Sequence, residues 1–403
     1  MDKSLRTPAV VVFSGALILL LSGGVRQSGG LFLHPMVADL GWNRETFAFA
    51  FALQAIVIGL SQPLVGIVAD KYGAGRVMAF GAAIFAVSLY LMSSVTSPLV
   101  WYLSAGLMLG VAMGCTGHSV ISGAVGRSVA EEKRSVSLGI AMAGSGVGQF
   151  VMIIFGQTLI SFMGWQTTLF IFALLPIYML PLAYLLSGKG PGVAGERTQK
   201  LKDALREAGQ HRGYLLLVTG FLVCGFQVTF IAIHFPAYIV DGGISAEIAA
   251  AALAVIGFCN VIGSYVWGRW GGKHSKKYLL SMNYLTRAVL LSTFAVLPVT
   301  EVTVIGFSII MGFLWLGTVP LTSALVGQIF GVQYLSTLFG LAFLSHQVGS
   351  FLGVWMGGYL YDLTGSYTIV WYVAAALGLL AALLHWPIDE RRVERLQMAQ
   401  EPA

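Results

Sequence analysis

The chain has 403 residues, of which 57% are apolar and only 10% charged, with a mean hydropathy of +0.82. So little charge excludes an ordinary soluble domain, and the net charge of +6 serves membrane topology rather than nucleic-acid binding. Three cysteines, Cys115, Cys224 and Cys259, all lie inside apolar blocks and cannot form a disulfide framework.

The apolar residues fall into twelve blocks, near 8–36, 46–69, 77–95, 99–122, 135–163, 166–187, 213–240, 246–270, 278–298, 302–327, 337–360 and 368–387. Each is close to the ~20 residues a spanning helix needs. The fold expected is an all-α polytopic membrane protein, with the first block an uncleaved first helix rather than a signal peptide. Span 1 carries Arg26 inside "LLLSGGVRQSGGLFLHPM", at a depth where a charge costs roughly 2.5–3.5 kcal/mol unless it is accommodated. Glycines 23, 24, 29 and 30 are expected to leave space around it, and Gln27 follows it. Between spans 2 and 3 runs "GIVADKYGAGR", residues 66–76. Here Gly66 is expected to allow close helix approach and Gly73 and Gly75 a tight reversal. Asp70 and Arg76 stand as oppositely charged ends of a short link, able to pair as a gate or to dock a helix terminus.

Farther along, polar groups recur near mid-membrane depth: Gln149 in span 5, Gln227 in span 7, Asn260 in span 8, Trp315 in span 10, and His346 with Gln347 in span 11. His118 in span 4 lies nearer one surface and His234 in span 7 nearer the other. An intramembrane Gln or Asn most often makes an interhelical bond, whereas a histidine changes charge near physiological pH. Span 9 holds Arg287 with Asn283 four residues back on the same face. That pairing suits a structural clamp and leaves a second anion site as the other reading.

Residues 188–212, "GKGPGVAGERTQKLKDALREAGQHR", form the one long polar link. They divide the chain into a first six-helix half (1–187), a central link (188–212), a second half (213–390) and a tail (391–403). With the N-terminus in the cytoplasm, twenty of the 23 Lys and Arg fall in cytoplasmic segments, Arg44 lies outside, and Arg26 and Arg287 lie within spans. This bias places both termini and the link in the cytoplasm. The halves also match at an offset of about 200: Gln27 and His34 with Gln227 and His234, Gly156 and Gly164 with Gly357 and Gly365. Parallel halves of this kind are a transporter architecture.

The 66–76 segment resembles the G-x-x-x-D-R/K-x-G-x-x-R loop of the major facilitator superfamily, and with twelve spans and a half repeat the resemblance covers the whole chain. It implies two pseudo-symmetric six-helix bundles with spans 1, 4, 7 and 10 lining a central cavity. Span 4 lacks the arginine, and span 5 the proline, that proton-driven drug antiporters of the family usually carry. "RQSGGLFLHPMVADLGW", "HFPAYIVDGG" and "LSHQVGSFLGVWMGGYLYDLTGSY" resemble bacterial relatives of the monocarboxylate porters. Those porters often carry an Asp-x-x-x-Arg pair in span 8. Asn260 and Ser264 stand there instead, so the resemblance does not specify lactate or pyruvate.

All seventeen Asp and Glu can be placed outside the span cores, so no internal carboxylate is available to neutralise Arg26. A planar guanidinium suits bidentate carboxylate recognition. The expectation is a secondary transporter of a small organic anion in a bacterial inner membrane, monomeric and free of cofactors and metals, with membrane lipid around it. Arg26 anchors the anion, and Gln27, Gln149, Gln227, His234, Asn260, Trp315 and His346 are its candidate neighbours. A coupled proton would ride on a histidine or on the substrate acid. An exporter of amphipathic drugs on the same fold is the alternative, and its cavity would not need Arg26. A membrane enzyme or receptor is disfavoured by the half repeat and by the lack of a clustered acid–base or metal-binding set.

Overall fold

The computed structural model describes residues 7–129, 131–186, 199–331 and 334–398. Among these, eleven helical segments are long and apolar enough to cross a membrane. One of them, Gly139–Leu185, is 47 residues long, more than twice what a span needs. Gly164 divides it, with φ 77° and ψ 171° inside the run. Only glycine adopts that backbone readily, so the segment turns there and crosses twice, which gives twelve spans.

Spans 1 to 4 are Pro8–Leu40, Arg44–Gly66, Ala74–Ser93 and Pro98–Val125; spans 5 and 6 are the two limbs on either side of Gly164. Spans 7 to 12 are Arg212–Asp241, Ala246–Gly271, Lys276–Val296, Glu301–Phe330, Thr337–Thr364 and Thr368–His385. Local chemistry sets many of their starts. Thr7, Asn43, Ser97, Ser245 and Thr300 each accept a first-turn amide with their side chains, satisfying donors that an apolar medium would leave bare. Span 10 is discontinuous: its first helix ends at Leu314 and its second starts at Thr318.

The spans form two pseudo-symmetric six-helix halves. Span 1 packs along span 5, and span 7 along span 11. Across the halves, span 2 meets span 11 and span 8 meets span 5. Each pair therefore maps onto the other when the halves are exchanged. The two ends of the described chain lie on one face of the membrane, here termed the terminal face, and the opposite face is the distal face. One apolar core runs across both halves, including Leu31, Phe47 and Phe51 of the first and Phe230, Ile233 and Val354 of the second. At the terminal end the first half packs as a separate cluster around Ile18, Met78, Ile121 and Met179. The halves are thus joined distally.

Glycine provides the closest helix approach. A methyl group built at Gly225 of span 7 would fall on the His346 carbonyl oxygen of span 11. Gly225→Ala is therefore expected to cost about 1–3 kcal/mol by overpacking, read as a lowered melting temperature. Three expectations about glycine need correcting. Residues 23, 24, 29 and 30 serve close packing rather than an open space: they abut Ser145, Gly148, Phe51 and the Ala232 carbonyl. At Gly66 an added Cβ would meet nothing within 4 Å, so among the described residues no helix packs closely on it. Gly73 alone makes the reversal, with φ 98°, while Gly75 lies buried within the helix that follows.

Candidate functional site

Arg26 sits at the end of the first helix of span 1, half-buried, where the two halves meet. Its Nη2 donates across the interface to Gln347 Oε1 at 3.5 Å. Among the described residues no carboxylate forms an ion pair with it. Gln347 Oε1 also accepts from Ser350 Oγ at 3.4 Å and lies 3.2 Å from His346 Nδ1, while Gln347 Nε2 donates to the Ala55 carbonyl of span 2 at 3.3 Å. Thr229 of span 7 bonds Ser350 at 2.9 Å. On the other side Gln27 Nε2 donates to Gln149 Oε1 at 3.4 Å, and Gln149 Nε2 is buried without a partner. His118 of span 4 lies close enough to Arg26 and His346 to interact with both electrostatically. One polar patch therefore joins spans 1, 2, 4, 5, 7 and 11 around a single guanidinium. Behind Arg26, within the first half, the residual void holds only about 10 Å³ and is lined mainly by apolar side chains. A solute reaching Arg26 would come from the inter-half side.

Arg287 differs in its burial and in the number of its partners. It is fully buried inside the second half. Its Nη2 donates to the carbonyls of Leu314 and Trp315, and its Nη1 to Gln227 Oε1 and Cys224 Sγ, both at 3.5 Å. Those two carbonyls lie where the first helix of span 10 ends, the negative end of that helix dipole. Arg287 thus closes the break in span 10. The expected bond from Asn283 to Arg287 is not made. Asn283 Nδ2 instead donates to the same Leu314 carbonyl, at 3.3 Å.

The remaining expected contacts of Arg26 are spread more widely than the sequence reading placed them. Gln227 points away from Arg26, donating to the Ala374 carbonyl at 2.9 Å and accepting from Arg287. His234 is buried with both ring nitrogens engaged inside the second half, 3.2 Å from the Tyr367 hydroxyl and 2.8 Å from the Val354 carbonyl. Asn260 accepts from Leu316 N at 3.1 Å, bracing the span 10 break from span 8. Trp315 lies at that break, fully buried, its Nε1 without a partner. Of the expected gating pair, Arg76 is exposed at the start of span 3, and the Asp70 side chain lies outside the described residues.

A second charged cluster, absent from the sequence reading, closes the distal face between the halves. Both Nη atoms of Arg44 at the head of span 2 grip Asp241 at the end of span 7, at 2.7 and 2.8 Å. Nη1 also donates to the Tyr367 hydroxyl at 2.9 Å, and the guanidinium lies 3.9 Å over the Tyr361 ring. Asp362 at the end of span 11 accepts the backbone amides of Arg44 and Glu45 at 3.3 and 2.8 Å. It therefore caps the helix of the opposite half with a favourable charge. A bidentate, partly shielded pair is stronger than a surface ion pair. Asp241→Asn is expected to raise the rate at which a membrane-impermeant thiol reagent modifies a cysteine placed at Ala48, a position fully buried under this closure. An unchanged rate would show that the ion pair does not hold the face shut. From the sequence alone, Arg44 is expected only to be the lone basic residue on its side of the membrane.

The family model of the Major Facilitator Superfamily matches residues 15–353 and, in a second match, 217–402. The chain is 25% identical over 363 residues to the MFS-type transporter YcxA of Bacillus subtilis, covering 86% of each protein. To monocarboxylate transporter 13 of Bos taurus it is 25% identical over 392 residues, covering 94% of this chain and 89% of the relative. Among solved structures it superposes on a D-xylose-proton symporter with a TM-score of 0.76 at 14% identity, over 95% of this chain and 99% of that one. A bacterial homologue of the lysosomal transporter Spinster, solved inward-facing and unoccupied, gives 0.73 at 14% identity over 98% and 100%.

Proposed function

We propose, from the premise that this chain belongs to the Major Facilitator Superfamily and is a membrane transporter rather than an enzyme, that it moves a small organic anion of the monocarboxylate type across a bacterial inner membrane. The observation that carries this reading is Arg26. It is a half-buried guanidinium at the inter-half boundary whose one side-chain bond is a long one to an amide oxygen, with no ion-pair partner among the described residues. A buried arginine without a carboxylate is costly unless something anionic arrives, and its fork matches two carboxylate oxygens. Gln347, Gln27 and Gln149 stand beside it with further donors. The relatives named monocarboxylate transporters are consistent with the same substrate class.

The bias of basic residues supports a cytoplasmic terminal face. On that assignment the distal closure shuts the outer side, and the anion enters and leaves by alternation of the two halves. A cysteine at the exposed Lys202, on the short helix Leu201–Gln210 before span 7, is expected to resist impermeant thiol reagents in intact cells and to react in inverted vesicles. Labelling in intact cells would reverse the orientation.

Liposomes containing the purified protein and offered labelled acetate, lactate, benzoate, a dicarboxylate and a neutral sugar test the substrate class. Uptake of one or more monocarboxylates, dependent on Arg26, is the expected result. Transport of amphipathic cations, independent of Arg26, would replace this reading with that of a drug exporter.

A further inference from the structure

On the terminal face of the second half lies an open cleft of about 680 Å³, lined by Lys277, Gln328, Asp389, Glu390, Arg391 and Arg392. It takes no residue from the first half, so it stands apart from the boundary that holds Arg26. Hydrogen bonds build its floor. Lys276 Nζ donates to Gln328 Oε1 at 2.6 Å, and Gln328 Nε2 donates to the Glu390 carbonyl at 2.9 Å. Glu390 Oε1 accepts the Lys277 backbone amide at 2.7 Å. The chain after span 12 is thereby tied to the end of span 10 and the start of span 9.

The charges of the cleft do not cancel. Arg391 Nε and Nη2 donate to Asp389 at 2.9 and 2.6 Å, and this guanidinium holds the Asp389 carboxyl down at about 2. That pair is neutral as a unit. Lys277 and Arg392 then outnumber Glu390, and Lys276 borders the same floor. Two large rings form the rim. Trp386, directly after span 12, is 61% exposed, and Tyr278, at the start of span 9, is 46% exposed. Their rings meet edge to face at 4.9 Å. Trp and Tyr left bare together at the ends of two spans mark the level where hydrocarbon gives way to lipid headgroups. Lys277 Nζ lies 5.0 Å over the Tyr278 ring, which sets its ammonium at that same level, with its stem on the apolar side.

We propose that this cleft is a binding site for one anionic phospholipid, with the phosphodiester among Lys277, Arg391 and Arg392 and the acyl chains running past Trp386 and Tyr278 along spans 9 and 12. Cations account for the preference for an anionic headgroup, because each Lys or Arg near the membrane surface adds attraction to it. The rings account for a lipid rather than a soluble anion, since a free phosphate has no use for an apolar rim. Occupancy also has a structural consequence. Arg391 and Arg392 belong to the chain after span 12, whereas Lys277 belongs to span 9. A phosphate shared among them adds a tie between the two, and anything that binds only the folded arrangement stabilises it.

The test uses the full chain in dodecyl maltoside micelles, offered dioleoylphosphatidylglycerol, dioleoylphosphatidylcholine or inorganic phosphate. Bound lipid is counted by native mass spectrometry, and melting is followed on the same samples. Phosphatidylglycerol should be retained in preference to phosphatidylcholine and should raise the melting temperature, and inorganic phosphate should not. Lys277→Gln and Arg392→Gln are each expected to weaken phosphatidylglycerol retention about fivefold, the weight of one cation at an anionic surface. Asp389→Asn should strengthen it, because Arg391 is released from its carboxylate. Lys202→Gln removes the same charge from another exposed part of the chain and should change nothing. Trp386→Ala should lower the retention of both lipids. Equal retention of the two lipids, or a loss in Lys202→Gln as large as in Lys277→Gln, would reduce the effect to general surface attraction and overturn the site. So would weaker binding in Asp389→Asn, or full retention in Trp386→Ala. A melting shift with inorganic phosphate as large as that with phosphatidylglycerol would give the cations to a soluble anion and overturn the lipid.

Discussion

Arg26→Ala is expected to weaken monocarboxylate binding by about 3 kcal/mol, roughly a hundredfold in Kd, with the melting temperature unchanged or slightly raised. The loss is that of a charge-assisted bond in a dry site. The stability outcome follows from how little holds this side chain: among the described residues its side-chain bond is one of 3.5 Å to Gln347, so truncation removes little structure and relieves the cost of a half-paired charge. Arg26→Lys keeps the charge but offers no parallel fork, and should recover part of the affinity only. Affinity and melting must be measured on the same preparations. If melting falls while affinity holds, Arg26 is a brace between the halves, and the anion reading loses its support.

Much of this was legible in the chain. Twelve apolar blocks, the polar link and the matches between halves follow from hydrophobicity and glycine, and the break between spans 5 and 6 sits at the Gly164–Trp165 step where hydropathy dips. The two intramembrane arginines stood out for the same reason, because charge at that depth is rare. The sequence did not show which of them was satisfied. Arg287 is met by main-chain carbonyls that exist as acceptors only because span 10 breaks at 315–317, and a backbone acceptor has no letter in a sequence. Neutral side chains were hard for a related reason. Gln227 and Gln149 lie at similar depth, yet one serves Arg287 and the other Gln27, a choice fixed by helix rotation. Thr229 and Ser350 went unnoticed because hydroxyls are common in apolar helices and bond locally as readily as across an interface. The distal closure was missed because Arg44, Asp241 and Asp362 each look like an ordinary polar residue at a helix end. Their pairing requires knowing that spans 2, 7 and 11 converge on that face.

Arg287→Ala should do the reverse of Arg26→Ala. A loss of about 3–5 kcal/mol in stability is expected, the range found when one member of a buried charged network is removed. Three costs combine. The Trp315 carbonyl loses the side-chain donor that meets it at the span 10 break, and Gln227 Oε1 loses its own; each buried group left bare costs about 1–3 kcal/mol. The vacated volume adds a cavity cost. The first helix of span 10 also loses the positive charge at its negative end. Arg287→Met separates these contributions, since it fills the space without restoring a donor. It should fall between wild type and Ala if packing matters, and match Ala if bonding is everything. Asn283→Ala should cost less than either, because the Leu314 carbonyl it shares would still be met by Arg287. Benzoate affinity in the fraction of Arg287→Met that folds should stay within about threefold of wild type, a shift under 1 kcal/mol, since no benzoate contact is assigned to this guanidinium. A variant that melted like wild type but bound benzoate a hundredfold more weakly would exchange the roles of the two arginines, making the closed interior of the second half the anion site and the inter-half boundary the brace.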